Sequence, residues 1–197
     1  MKRLLITGFE PFGGENINPS WEAVRMLPSK IGGYSLIKLL IPVEFGKAAD
    51  MVIEAADESC PDLILCIGQA GGRSAITPEL VGINLRHASI PDNSGYQPKD
   101  EPIIKGGDDA YFSTVPVRKL AEAIKASGVP SDVSYSAGAY VCNDVLYTLL
   151  HHFNDSKTKV GFIHIPYSKE QNKEPDMHLD DIIKGLIVAI ESINLYA

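Results

Sequence analysis

Along the chain, short apolar runs alternate with segments whose apolar positions recur every three or four residues. Residues 2–7 and 35–41 read as strands. The nearly unbroken run Asp62-Leu63-Ile64-Leu65-Cys66-Ile67, closed by Gly68, has the pattern of a strand buried on both faces. A helix opens between the first two strands at Asn18-Pro19, a capping residue followed by proline at the first helical position, and Trp21, Val24 and Leu27 recur along it. A second helix spans 46–59 with Ala49, Val52, Ile53 and Ala56 on one face. A third spans 114–127, with Val117, Leu120, Ala121 and Ile124 inward, followed by a short strand at 132–135. The helix that begins near Cys142 turns Val145, Leu146, Leu149 and Phe153 inward, and a strand follows at 159–165. The last helix carries Leu179, Ile182, Ile183, Leu186, Ile190 and Ile193 at helical spacing. This order predicts an α/β fold: a largely parallel central sheet with helices on both faces, a three-layer α/β/α arrangement, as a single domain over 1–197.

Two segments break the alternation: the glycine-rich stretch 68–78 and the long irregular stretch 87–109, which contains Asp92-Asn93-Ser94-Gly95. An irregular loop of that length within one domain usually has a function. The bulk numbers narrow the function classes. At 197 residues, 45% hydrophobic and 22% charged, the chain is globular. A net charge of −7, without a Lys/Arg run, argues against nucleic acid and anionic membrane as partners. Residues 1–8 are too short in apolar content for a secretory signal, and no run is long enough for a membrane span. Three cysteines without a Cys-x-x-Cys fit a reduced, cytoplasmic protein without disulfides. The histidines show no zinc-binding spacing, so no metal is expected.

In open α/β sheets, ligands bind beyond the carboxyl ends of the strands. The segments 8–14 and 68–73, Cys142 and His164 all lie at that rim, and Glu79 follows where regular structure resumes. Cysteine, histidine and carboxylate are the set that nucleophilic catalysis needs: a nucleophile, a base, and a group that orients the base. Cys142 lies at a helix start, where unpaired N–H groups and the helix dipole favour thiolate, so a lowered pKa is expected. Gly68-Gln69-Ala70-Gly71-Gly72-Arg73 lacks the features of a P-loop or dinucleotide fingerprint and points instead to close backbone approach to a ligand. Phe9 and Phe12 lie in a turn rich in glycine and proline, a setting for pocket-lining aromatics. From the residues alone, a small-ligand binding protein without turnover and a nucleoside phosphorylase-like transferase stay open beside a hydrolase.

Thr7-Gly8-Phe9-Glu10-Pro11-Phe12-Gly13-Gly14 and Asn18-Pro19-Ser20-Trp21 resemble the opening of the pyrrolidone-carboxylate peptidases, or type I pyroglutamyl peptidases. So do Gly68-Gln69-Ala70-Gly71-Gly72-Arg73, Ile90-Pro91-Asp92-Asn93, the segment around Cys142, and Gly161-Phe162-Ile163-His164-Ile165-Pro166-Tyr167, in the family's order. The resemblance implies a cytosolic cysteine exopeptidase that removes N-terminal pyroglutamate, needs no cofactor and is often a homotetramer. It implies Cys142 as nucleophile, His164 as general base and acid, and Glu79 as the residue orienting His164. By the same resemblance Phe9 and Phe12 pack on the lactam ring, and Asn18, Gln69 and Val141 line its pocket. This chain has Leu80 and Ser89 where the family usually has arginines. The second of those arginines is associated with oxyanion stabilisation, and Arg86 is the candidate substitute.

Overall fold

The computed structural model describes residues 1–195; Tyr196 and Ala197, the end of the expected domain, lie outside the described residues. The chain runs β1 (Lys2–Phe9), α1 (Pro19–Met26), β2 (Lys30–Ile31), β3 (Tyr34–Ile41), α2 (Lys47–Ser59) and β4 (Leu63–Gln69). Short strands β5 (Thr77–Pro78), β6 (Val81–Ile83) and β7 (Ala110–Phe112) follow, then α3 (Val117–Ala126), α4 (Val141–His152) and β8 (Lys159–Ile165). The chain ends with β9 (Tyr167–Ser168), a 3-10 turn (Lys169–Gln171), β10 (Asp176–Met177) and α5 (Leu179–Leu195). The central sheet has the order β2-β3-β1-β4-β8-β5. β3, β1, β4 and β8 are mutually parallel, while β2 and β5 pair antiparallel at the two edges.

Strand alternation divides the apolar residues between the two faces. Leu4, Ile6, Leu63, Leu65, Ile67, Ile163 and Ile165 pack with α1, α3 and α5. Leu5, Phe9, Ile64, Cys66, Val160 and Phe162 pack with α2 and α4. The expected three layers are therefore present. Helix α1 starts as its sequence requires: Pro19 is its first residue, and Oδ1 of Asn18 accepts the N–H of Ser20 at 3.1 Å.

The structure adds the short strands β2, β5, β6, β7, β9 and β10 to the pattern reading, and it differs at two of the expected elements. The helix expected at 114–127 is shorter, because Pro116 precedes its first turn. The strand expected at 132–135 does not form; single bridges join Ile76 to Ser131 and Glu79 to Ser134. This stretch lies alongside β5, itself two residues long, so no longer ladder is available to it.

Strand order reverses between β1, which leads out to β3, and β4, which leads the other way to β8. That crevice, at the carboxyl ends of β1, β4 and β8, is where this topology gathers its loops.

Candidate active site

Period-2 alternation fixes which rim residues can meet. Phe162 faces α2 and α4, so His164, two residues on, faces the same way, and their ring centroids lie 4.8 Å apart. Gly68 is the register partner of His164 in the neighbouring strand. A β-carbon built on Gly68 would come within 3.0 Å of Sγ of Cys142 and 2.7 Å of the Phe162 ring. The missing side chain at Gly68 thus lets the Cys142 thiol sit over the strand beside His164.

Glu79 arrives from the other side. β5 runs antiparallel to β8 with Thr77 opposite His164, and the N–H of Glu79 donates to the Phe162 carbonyl at 2.9 Å. Its carboxylate is fully buried, and Oε1 lies 2.6 Å from Nδ1 of His164. A carboxylate acceptor puts the proton on Nδ1 and leaves Nε2 free to accept one. The same Oε1 accepts from Nη1 of Arg73 at 2.7 Å, and Arg73 also donates to Thr77 Oγ1 at 2.6 Å and to the Ser136 carbonyl. Oε2 of Glu79 has no hydrogen-bond partner among the described residues; the nearby Ser134 hydroxyl is turned to the Ser136 carbonyl.

Burial works to raise the pKa of Glu79, but His164 and Arg73 outweigh it and hold the carboxyl below its ordinary range. Burial pushes His164 below the usual imidazole value, outweighing Glu79, and the Arg73 charge adds to the lowering. The Cys142 thiol is pushed up, first by burial and then by the Glu79 charge, with Arg73 acting against this. The expected lowering at the helix start is therefore reversed. Cys142 does lie in the first turn of α4, but desolvation in a tight apolar surround outweighs the helix end. Both shifts favour the uncharged thiol and imidazole over thiolate and imidazolium.

Cys142 also forms part of the wall of a small cavity of about 40 Å³. Phe9, Phe12, Asn18, Gln69 and Val141, the residues expected to line a pocket, all border it. Val43 and Tyr140 complete the wall, and no sequence signal had singled them out. Phe9 is at the same time a core residue, only 2% exposed, so pocket and core share it. Phe12 and Tyr140, whose ring centroids are 6.3 Å apart, separate this cavity from a wider cleft of about 570 Å³ that includes Ser89, His87 and Ile90.

The long loop after β6 forms one side of that cleft. Asp92 accepts from the backbone of Phe45, Ser94 and Tyr96, while Asn93 donates to the Pro11 carbonyl and Tyr140 to the Pro91 carbonyl.

Arg86 does not reach the cavity wall. Its Nε donates to Oδ1 of Asp144 at 2.5 Å, and its guanidinium lies over the Phe45 ring, 5.9 Å from the centroid. The other Asp144 oxygen accepts the N–H of Gly46 at 2.7 Å, so Arg86 belongs to a strut between α2 and α4. Leu80 points away from the site and packs against the core beside α3. The cation that borders Cys142 and His164 is Arg73.

A model of the pyroglutamyl peptidase family matches residues 2–196. The chain belongs to that family. The pyrrolidone-carboxylate peptidase of Thermococcus onnurineus is 47% identical over 195 residues, covering 96% of this chain and 98% of that protein. The one from Staphylococcus saprophyticus is 49% identical over 197 residues, covering 97% and 92%. Among solved structures, pyroglutamyl peptidase I of Bacillus amyloliquefaciens superposes with a TM-score of 0.95 at 44% identity, over 99% of this chain and 98% of that one. The pyroglutamyl peptidase fold therefore extends over the whole described chain.

Proposed function

We propose that the chain hydrolyses the bond after an N-terminal pyroglutamyl residue, as a cysteine peptidase with Cys142 as nucleophile, His164 as general base and acid, and Glu79 orienting His164. The observation that carries this is the placement of Cys142. Its Sγ lies beside the strand position paired with His164, and the same side chain closes a cavity walled by Phe9, Phe12 and Gln69. Pyroglutamate has no charged amine, and this wall carries no charged side chain. A flat lactam suits a slot between aromatic rings with amide hydrogen bonds at its edge.

Since the site favours the uncharged thiol and imidazole, the first step couples two events. Nε2 of His164 takes the thiol proton as Sγ attacks the pyroglutamyl carbonyl. The N–H groups of Val141, Cys142 and Asn143 precede the first intrahelical bond, from Asp144 to the Tyr140 carbonyl, and they hold the developing oxyanion. The imidazolium, steadied by Glu79, gives its proton to the departing amine and leaves a thioester on Cys142. Water then attacks the thioester with His164 again as base, releasing pyroglutamate and restoring the thiol. The wider cleft past Phe12 and Tyr140 receives the peptide that leaves.

The reading is that of a cytoplasmic enzyme without a cofactor, supported by three unpaired cysteines, and of one domain over 1–197 that assembles as a homo-oligomer, a tetramer by the family resemblance. Exposed Phe112 and Tyr135 offer apolar surface for such contacts. Release of an aromatic amine from a pyroglutamyl anilide tests the proposal. Wild type should turn over, and Cys142→Ala and His164→Ala should not. Phosphate-dependent turnover of a nucleoside, with the anilide untouched, would decide for a transferase instead.

A further inference from the structure

Gln69 ends β4 at the cavity wall, and its Oε1 accepts a hydrogen bond from Nε2 of Gln171 at 2.9 Å. Gln171 closes the 3-10 turn after β9, and its own Oε1 accepts the backbone N–H of Ser168 at 3.1 Å. The Ser168 hydroxyl accepts in return from the backbone of Gln171, which completes a capping box. A backbone N–H can only donate, so the Gln171 amide has one orientation: oxygen to Ser168, nitrogen outward. The Glu15 carboxylate, which can only accept, also faces that nitrogen. With Oε1 of Gln69 occupied, its Nε2 has no protein partner among the described residues. Asn18 repeats the pattern. Its Oδ1 is occupied by the N–H and hydroxyl of Ser20, and one Nδ2 hydrogen goes to the Glu10 carbonyl.

We infer that Gln171 is a specificity-determining positioning residue, which fixes the Gln69 amide so that the cavity meets its ligand with an N–H donor, matched to the carbonyl of a lactam ring. This rests on the function proposed above. A pyroglutamyl ring presents an acceptor there, whereas a prolyl ring presents a methylene and leaves the donor unpaired, which costs binding. Gln171 is assigned no contact with substrate; it acts through Gln69.

The test separates polarity from architecture. Glutamate serves as well as glutamine at the third position of a capping box, so Gln171→Glu keeps the turn. An ionised carboxylate cannot donate to Gln69, however, and the Gln69 amide must turn over, sending Nε2 to the new carboxylate and Oε1 to the cavity. Gln171→Leu only frees Gln69 to choose its own orientation. Both variants are made in wild type and with Glu15→Gln, which removes the neighbouring like charge.

At pH 7.5 on a pyroglutamyl anilide, Gln171→Glu should raise KM by about tenfold or more at little change in kcat, and Gln171→Leu should raise it less. The melting temperature of Gln171→Glu should stay near that of its parent. Equal KM values for the two variants, or a loss that follows melting temperature, would overturn the inference while wild-type turnover kept the function intact. An inactive wild type would overturn both.

Discussion

Nδ1 of His164 and Oε1 of Glu79 lie 2.6 Å apart although 85 residues separate them in sequence, and both are almost wholly buried. The contact exists because β5 folds back antiparallel on β8. Glu79→Gln keeps the shape but offers Nδ1 either a weaker acceptor or an amide donor. We expect kcat/KM on a pyroglutamyl anilide to fall by about 10²–10⁴, the range for losing a positioned acid–base partner. Unchanged kcat/KM would reduce Glu79 to a structural carboxylate.

The acid side of the pH–rate profile should lie below 6.5. His164 must be neutral to take the thiol proton, and its site holds its pKa below that ordinary value. As pH falls through the lowered value the imidazole charges and kcat/KM drops. Arg73→Met removes a positive charge that opposes imidazolium, so the acid limb should move to higher pH, while Arg73→Lys should largely keep it in place. A limb that stays put in Arg73→Met would show that Arg73 does not act on His164.

Gly68→Ala should damage activity more than its one carbon suggests. The added methyl would meet the Phe162 ring at 2.7 Å and the Cys142 sulfur at 3.0 Å, so one of them must shift. Overpacking of this kind costs about 1–3 kcal/mol of stability. Displaced geometry at the nucleophile should cost on the order of 10²-fold in kcat. Thermal melting and kinetics on the same preparation separate the two effects.

Arg86→Ala should act mainly on stability. It breaks a pair whose carboxylate, Asp144, is fully buried, and should cost up to about 3 kcal/mol, the low end for a broken buried pair because Arg86 is 21% exposed. At temperatures where the variant is folded, kcat should stay close to wild type. A collapse of kcat with normal melting would return Arg86 to the oxyanion role that its sequence position suggests.

Thiol labelling of the resting enzyme should not single out Cys142. Its thiol is half-buried and pushed up by burial, whereas Cys60 is exposed at the end of α2 and Cys66 is buried. Iodoacetamide should therefore modify Cys60 readily without loss of activity, and inactivation should follow Cys142 alkylation more slowly. Mass spectrometry of Cys60→Ser alongside wild type checks both statements.

What could be read from the sequence was what local pattern controls. Asn18-Pro19 announces the start of α1, and alternation in β4 and β8 places Gly68 and His164 on one face. Phe9, Phe12, Asn18, Gln69 and Val141 in the cavity wall were reachable through aromatic signals and through motifs shared with the family, whereas Val43 was not. Tyr140 and Gln171 were not, because their importance comes from partners far along the chain: Gln171 meets Gln69 across 102 positions. The upward shift of the Cys142 thiol escapes the sequence for a related reason. A helix start is visible in sequence, but the desolvation that overrides it is a property of the assembled core.

Asn18 holds the start of α1 with one oxygen and forms part of the cavity wall with the same side chain. Laboratory evolution toward bulkier or differently shaped rings would have to remodel that wall. At position 18 a larger residue would also remove the cap that seats α1, at about 1 kcal/mol. Variants that accept new substrates should therefore accumulate at Val43 and Phe12, while Asn18 stays unchanged unless a stabilising substitution elsewhere comes first. The order in which such mutations can arise is thus constrained by one hydrogen-bonded amide.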